Sequence, residues 1–166
     1  LNVPYDSGLA FVRDEVALRA AMSISAAYLP QGEHREPSNY TPELSRRARG
    51  VDIWAALKSL GRSGVARLIE NNCASATAFA EGLRAAGFEV LNEVVLNQVV
   101  VSFGDSEVNR RVVQAVLEEG TCWCGGTVWQ GRSAMRISVS SWRTTPEDVE
   151  LSLVAIIRVA RKILAQ

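Results

Sequence analysis

Arg136 stands in a stretch whose residues alternate between apolar and polar. Within Ser133–Ser141, the apolar residues Met135, Ile137 and Val139 share one parity, and the polar residues Arg136, Ser138 and Ser140 share the other. Because side chains alternate along a strand, such a segment buries its apolar face and leaves Arg136 on the opposite face. There Arg136 either lies in solvent, as most arginines do, or lies in a cleft under another domain and offers its planar guanidinium to a carboxylate.

A second concentration of charge is the run Arg46-Arg47-Ala48-Arg49. The sequence places this run in the first turns of a predicted helix, where the macrodipole disfavours cations. One interpretation is that the arginines are solvated on an exposed face. The other is that Arg46 or Arg47 pairs with a buried acid or with a substrate group.

The cysteines and the histidine argue against a metal centre. Cys122-Trp123-Cys124 has a one-residue gap instead of the two-residue gap of zinc motifs, and His34 is the one histidine of the sequence. We therefore expect no metal, and we expect Cys73, Cys122 and Cys124 to be reduced thiols packed in or near a core.

The elements that position these residues begin with an apolar run and a polar loop. Leu9–Val12 follows turn residues and predicts a short strand buried on both faces. The stretch Gln31–Tyr40 is polar and predicts an exposed loop. Thr41-Pro42-Glu43 combines an N-cap residue, a proline and an acid, which predicts a helix running toward Leu60-Gly61.

A longer helix and a small sheet are predicted after Gly61. Apolar residues recur at helical spacing from Val65 to Leu83, with Gly87 as the expected C-terminal cap. The order then becomes strand, strand, helix, strand, strand, helix, over residues 88–91, 99–103, 107–118, two strands joined by a glycine-bearing turn within 121–139, and a last helix capped by Thr145-Pro146-Glu147-Asp148. This order predicts an α/β fold with a small antiparallel sheet and helices packed on one face.

Composition excludes several classes of partner. The 18 basic and 18 acidic residues cancel, so no long-range field favours nucleic acid or an anionic membrane. No apolar run approaches the roughly 20 residues that span a membrane. The sequence opens on Leu1 and enters an apolar segment at once, so we expect a fragment or processed piece of a soluble, cytoplasmic protein.

Several strings, taken in chain order, resemble the group II pyridoxal-phosphate decarboxylases, the family of aromatic-amino-acid, histidine and glutamate decarboxylases. The most specific are three strings near the end, Trp129-Gln130-Gly131-Arg132, Met135–Ser140 and Arg143-Thr144-Thr145. Leu1–Gly8 is similar to the segment after the family's His-Lys pair, whose lysine holds the cofactor. That His-Lys pair is absent here. Tyr28-Leu29 with the loop to Tyr40, and Leu44–Arg47 through Ile53-Trp54, resemble the mobile active-site loop and the helix start after it.

The resemblance implies the type I fold of pyridoxal-phosphate-dependent transferases. This chain would form its C-terminal part, with the end of the large cofactor-binding domain and the active-site loop in 1–40, connecting helices in 41–87, and the small C-terminal α/β domain in 88–166. The cofactor's lysine, a ring-stacking histidine and an aspartate at the pyridine nitrogen would lie in the N-terminal remainder, at a homodimer interface.

The resemblance also implies roles for particular residues. Candidates for the proton-donating group are loop tyrosines, and candidates for substrate contact lie at the helix start and on the C-terminal strand; these are Tyr28, Tyr40, Leu44, Ser45, Arg46 and Arg136. Arg136 would be the carboxylate partner, and Ser45 the residue that selects among substrates.

The implied function is removal of the α-carboxylate of an L-amino acid to give an amine, with pyridoxal 5′-phosphate as cofactor. Because Lys58 and Lys162 are far in sequence from the expected lysine position, this chain alone should be inactive. Two alternatives remain at this point. One is another type I fold enzyme, such as an aminotransferase or an aldehyde-releasing lyase, and the other is a non-catalytic regulatory α/β module.

Overall fold

Four short strands form one antiparallel sheet. They are β1 (Glu89–Val90), β2 (Gln98–Ser102), β3 (Gly125–Trp129) and β4 (Arg132–Ser138), and they lie in the order β1-β2-β4-β3. The predicted antiparallel sheet is confirmed, including the glycine-bearing turn between its last two strands. Gln130 and Gly131 both have positive φ, 49° and 80°, as a two-residue hairpin turn of the type I′ class requires.

The computed structural model describes residues 1–23 and 34–166. This part of the chain divides into two compact units, which are described separately. The sheet unit comprises Leu1–Asn2 and Leu57–Gln166, and the leading unit comprises Val3–Ala56. The division into 1–40, 41–87 and 88–166 stays a prediction.

The α-helices are α1 (Glu15–Met22), α2 (Arg49–Ala85), α3 (Ser106–Glu119) and α4 (Pro146–Leu164). A 3₁₀ turn covers Pro37–Tyr40. Within α2, Gly61 departs from helical geometry with φ 61° and ψ −177°. The predicted boundary at Leu60-Gly61 therefore exists as a break inside one helical stretch, because only glycine adopts this backbone conformation without steric strain.

Residue-level capping explains where the later helices begin and end. The Asp105 carboxylate accepts the Val108 N–H at 2.9 Å to start α3, and Gly120 ends it with φ 83°. Helix α4 opens with the predicted capping box, in which Thr145 and Asp148 each accept the other's backbone N–H. The capping box confirms the start of the last helix that the sequence predicts.

One apolar core lies between the sheet's inner face and the helices of the sheet unit. It joins buried residues of α2, α3 and α4 to those of β2 and β4, among them Ala76, Leu83, Val99, Val101, Val112, Val116, Met135, Ile137, Ile156 and Ala160. Burial of these side chains is the main favourable term for the unit. The predicted inward face of β4 is confirmed, since Met135 and Ile137 are buried while Arg136 and Ser138 are exposed.

The predicted strand at Leu9–Val12 is wrong. The segment forms no strand within the described residues, and Leu9, Phe11 and Val12 are exposed. An apolar run becomes a strand only where another strand supplies hydrogen-bond partners. No such partner pairs with it among residues 1–23 and 34–166.

The predicted helix start at Thr41-Pro42-Glu43 is also wrong, because α2 begins at Arg49. The Thr41 hydroxyl donates to the Glu43 carbonyl at 2.9 Å instead of accepting a backbone N–H as an N-cap does. Such local side-chain to backbone bonds compete with helix formation. Of the basic run, only Arg49 lies in the helix.

The buried side chain of Asn109 ties α3 to the end of β2. Its carbonyl oxygen accepts the Phe103 N–H at 2.9 Å, and its amide nitrogen donates to the carbonyls of Gly104 and Asp105 at 3.0 and 2.9 Å. The amide nitrogen also lies 3.2 Å from the Ser102 hydroxyl. A polar side chain that is 1% exposed is thus fully satisfied.

Asn109→Ala should lower the free energy of unfolding by about 2–4 kcal/mol, because the buried Phe103 N–H loses its acceptor. Gln114→Ala, on the surface of the same helix, should change it by less than about 0.5 kcal/mol. Urea titration of both variants measures the difference. Equal costs would show that the Asn109 network does not stabilise the fold.

Candidate functional site

Arg136 lies in a row of residues on the sheet face opposite the core, called here the outer face. Its direct cross-strand neighbours are Val100 on β2 and Gly125 on β3. Residues opposite each other in an antiparallel pair project to the same face. Arg136 therefore stands between a valine and a residue without a side chain, which leaves its β3 side open.

A second arginine on the outer face is already neutralised. Arg132 donates two hydrogen bonds to the Glu89 carboxylate, at 3.1 Å from Nη1 and 2.6 Å from Nη2. The Arg132 hydrogen bond holds the pKa of Glu89 below its ordinary value, and the same contact raises the pKa of Arg132. The pair is fully occupied with itself.

Arg136 differs from Arg132 because no acid is paired with it in the described part of the chain. Its guanidinium is exposed and keeps its five donors available. A planar guanidinium with free donors is suited to a carboxylate held through two parallel hydrogen bonds. The outer face thus carries one uncompensated positive charge at the predicted position.

Leu44, Ser45 and Arg46 lie in the leading unit, in the irregular segment that precedes α2. All three are exposed. Arg46 lines an open groove of about 440 Å³ with Asp6, Gly8, Leu9, Pro42, Glu43, Arg49, Gly50 and Ile53. Leu44 and Ser45 are not among the lining residues. The prediction that these three residues form a helix start is wrong, although their predicted contact with substrate is not thereby tested.

The other arginines of the basic run pair with exposed acids. Arg49 Nε donates to Asp6 Oδ2 at 2.8 Å, and Arg47 reaches Asp6 and Asp52 at 3.4 and 3.1 Å. The hydrogen bond from Arg49 is the main reason that the pKa of Asp6 lies below its ordinary value. Asp6 and Asp52 offset the charges of Arg47 and Arg49, whereas Arg46 lines the groove without a paired acid among the described residues.

Tyr40 is held through its hydroxyl, and Tyr28 lies outside the described residues. The Tyr40 hydroxyl donates to Glu15 Oε1 at 2.6 Å, which ties the 3₁₀ turn to α1. The guanidinium carbon of Arg35 lies 4.3 Å from the centre of the Tyr40 ring. Tyr40 is therefore fixed by a carboxylate and a cation in the leading unit.

The three thiols are free, with Cys124 buried and Cys73 and Cys122 half-buried. Burial is the main cause that raises the pKa of Cys124 to about 12, so this thiol stays protonated and unreactive at neutral pH.

Among residues 1–23 and 34–166, no three histidine, cysteine or acidic side chains are grouped to hold a metal ion. None of the helices in the same ranges is long and apolar enough to cross a membrane.

Residues 1–103 match the sequence profile described as the Pyridoxal-dependent decarboxylase conserved domain. Two curated proteins are similar to this chain. Histidine decarboxylase of Drosophila melanogaster is 27% identical over 172 residues, covering 100% of this chain and 20% of that protein. 3,4-Dihydroxyphenylacetaldehyde synthase of Aedes aegypti is 22% identical over 156 residues, covering 90% of this chain and 30% of that protein.

Solved structures share the fold. Oryza sativa TDC with PLP and tryptamine superposes with a TM-score of 0.84 at 21% identity, covering 91% of this chain and 34% of that one. Catharanthus roseus tryptophan decarboxylase with L-tryptophan has a TM-score of 0.75 at 20% identity, covering 87% and 33%. The predicted α/β class and type I fold are confirmed. This chain spans a fifth to a third of the length of these relatives.

The sequence did not reveal which arginine of the outer face would be neutralised. Arg132 and Arg136 share one parity on β4, so alternation places both on the same face. Only the pairing of β1 with β2 and of β2 with β4 brings Glu89 within reach of Arg132.

Arg132→Met should raise the pKa of Glu89 toward its ordinary value, because the hydrogen bond that stabilises the carboxylate is lost. Arg136→Met should leave that pKa unchanged. Because the folded-state pKa of Glu89 is lowered, the small stabilisation from this exposed pair is present at neutral pH and is lost as the pH falls through that lowered pKa. NMR titration of the Glu89 side-chain carbon measures each case, and a response to Arg136→Met would contradict the assignment of partners.

Proposed function

Because this chain belongs to the pyridoxal-dependent decarboxylase family, we propose that it forms the C-terminal part of an enzyme that removes the α-carboxylate of an L-amino acid as CO2 and leaves the amine. Pyridoxal phosphate is the family's cofactor. The named relatives that share the fold or the sequence include decarboxylases of histidine and tryptophan. For the substrate of the complete enzyme we propose only the class, L-amino acids.

The observation that carries the proposal is the uncompensated guanidinium of Arg136. A decarboxylase has to hold an amino acid by a group that recognises its carboxylate and orients it. Arg136 has free donors, an open neighbour at Gly125, and no acid among the described residues to neutralise it. The contact has to remain loose, since strong ground-state stabilisation of the carboxylate raises the barrier to losing it.

The cofactor's own attachment is not built by the residues of this chain. Pyridoxal phosphate supplies an electron sink for the reaction when bound. A lysine that attaches it must lie in a site that tunes its reactivity, as in other nucleophilic lysines. Lys58 and Lys162 instead lie exposed on α2 and α4. We therefore place the cofactor's lysine in the N-terminal remainder and propose that this chain alone is inactive.

We assign the leading unit to substrate contact and protonation. Arg46 faces a groove, and Ser45 follows Leu44 in the exposed segment beside it, so this segment is available to line a pocket against another part of the enzyme. Ser45 is the candidate for substrate selectivity. Tyr28 and Tyr40 remain the candidates for the proton donor, and Tyr40 carries its hydroxyl proton toward Glu15.

An aldehyde product is the second candidate function. The Aedes aegypti relative is named 3,4-dihydroxyphenylacetaldehyde synthase, and Rhodiola rosea 4-hydroxyphenylacetaldehyde synthase has the same fold with a TM-score of 0.67. Both candidates begin with the same substrate class and would use Arg136 in the same way. Product analysis separates them, because one enzyme releases an amine and the other an aldehyde.

We further propose that the complete enzyme is a homodimer in the cytoplasm. The free thiols Cys73, Cys122 and Cys124 suit a reducing compartment. The partners of this chain would then be the N-terminal remainder, a second subunit and the amino-acid substrate.

Arg136→Lys and Arg136→Met should each weaken substrate binding by about 10- to 100-fold in the complete enzyme. This is the range expected for loss of a charge-assisted, two-point contact of about 1.5–3 kcal/mol. Inhibition by the amine product should change little, because the amine lacks the carboxylate. Steady-state kinetics with the amine as inhibitor measure both effects.

Arg132→Met is the matched control, since Arg132 lies on the same face and is occupied by Glu89. It should leave the Michaelis constant for the substrate within about twofold, as surface substitutions usually do. If the Arg136 variants lose amine binding as much as substrate binding, the residue is structural and the carboxylate assignment fails.

This chain, mixed with pyridoxal phosphate and reduced with borohydride, should show no stoichiometric label on Lys58 or Lys162. Their exposed positions give neither amine a binding pocket for the cofactor. Peptide mapping by mass spectrometry locates any label. Specific, one-to-one labelling of either lysine would refute the placement of the cofactor's lysine elsewhere.

A further inference from the structure

Trp123 projects onto the same outer face as Arg136. It stands between Cys122, which is half-buried, and Cys124, which is buried in the core, and its own side chain is 79% exposed. Residues that alternate in this way point to opposite faces of an extended chain. The indole therefore lies on the face away from the core, just before β3 begins.

Gly125 brings the indole toward the row of Arg136. A Cβ atom at Gly125 would lie 3.8 Å from Cη2 of Trp123, so the ring leans along the strand over the position where a side chain is missing. Gly125 is the direct cross-strand neighbour of Arg136. Trp123 precedes β3 by two residues, and the register of β3 continued to it would make it a diagonal neighbour of Arg136. In regular pairs that spacing is about 7–8 Å, which long and aromatic side chains can bridge.

Two other residues of the outer face, Ser138 and Val100, lie near Arg136. Ser138 follows Arg136 by two residues on β4 and accepts a hydrogen bond from Gln98 at 3.2 Å. Val100, the other direct neighbour of Arg136, is 5% exposed. The guanidinium, the hydroxyl and the valine thus lie beside Gly125, over which the indole leans.

Trp123 and Arg136 do not use each other as partners. The guanidinium that lies near a tryptophan ring in this unit is that of Arg143, 5.8 Å from the ring centre of Trp142. Arg136 makes no such contact with Trp123 among the described residues. A cation without a paired acid among the described residues and a largely exposed indole therefore lie on one face, with Gly125 between them.

We propose that Trp123 is a specificity-determining residue, whose indole packs against the aromatic side chain of a ligand held at Arg136 by its carboxylate. The inference deepens the proposed function and rests on its assignment of Arg136 to a carboxylate. An aromatic ring bound beside the indole would cover an exposed apolar surface and gain the energy of offset or edge-to-face packing. A carboxylic acid with an aromatic side chain should therefore bind more tightly than an aliphatic acid of the same charge.

The test uses carboxylic acids that cannot react with the cofactor. Binding of 3-phenylpropanoate and of propanoate to the complete enzyme is measured by titration calorimetry without added pyridoxal phosphate. Trp123→Ala should weaken 3-phenylpropanoate by about tenfold, the upper range for an aromatic pair, and propanoate by less than about twofold. Trp123→Phe should restore most of the difference, because it keeps an aromatic ring.

Two control variants make the result specific. Arg136→Met should weaken both acids alike, because both carry the carboxylate. Trp142→Ala removes another exposed tryptophan of the sheet unit, one that follows β4, and should affect neither acid. If Trp123→Ala weakens both acids equally or neither of them, or if the unaltered protein binds no 3-phenylpropanoate, the inference is refuted.

The role of Trp123 and the proposed decarboxylase function can each fail while the other stands. Conversion of an amino acid to its amine with no selective effect of Trp123→Ala on 3-phenylpropanoate would refute the inference alone. Selective binding as expected, with no amine formed from any amino acid, would refute the decarboxylase and retain the aromatic carboxylate site.

Discussion

The pairing of β2 with β4 and of β4 with β3 is the constraint on which the rest of the sheet unit depends. A shift of one residue in this pairing would exchange the two faces of β4 and carry Arg136 into the core. The buried residues Met135 and Ile137 prevent that shift, because they pack with Val99 and Val101 against the helices. Burial of Met135 and Ile137 therefore fixes the position of Arg136, although Arg136 itself is exposed.

The outer face gains its chemical character from what each arginine meets across the strands. Glu89 occupies Arg132 through two hydrogen bonds, whereas Arg136 meets Val100 and Gly125. Arginine is costly to leave without a partner in a water-poor site, and so an unpaired one that becomes covered in an assembly requires an anion. This contrast between two arginines on one strand supports a carboxylate site more strongly than the presence of either arginine alone.

The two units supply different kinds of support for the proposed chemistry. In the sheet unit the candidate residue stands on a strand whose neighbours are packed, so its position is rigid. In the leading unit Arg46 lies in an irregular segment, near the charged pairs of Asp6 with Arg47 and Arg49. Exposed pairs of this kind contribute little stability. Segments with few buried contacts are also those from which adaptable binding regions are drawn.

The sequence by itself determined the elements whose signals are local. Capping residues defined the start of α4, a glycine-bearing turn marked the hairpin, and alternation placed Arg136 opposite Met135 and Ile137. The family strings led to the correct fold. Tertiary structure decided what depends on partners distant in the chain: Leu9–Val12 found no strand to pair with, and Thr41 formed a local bond instead of a cap. It also decided that Glu89 reaches Arg132 and that Arg136 is left beside Gly125. Spacing along a chain specifies which side chains share a face, but strand order determines which of them meet.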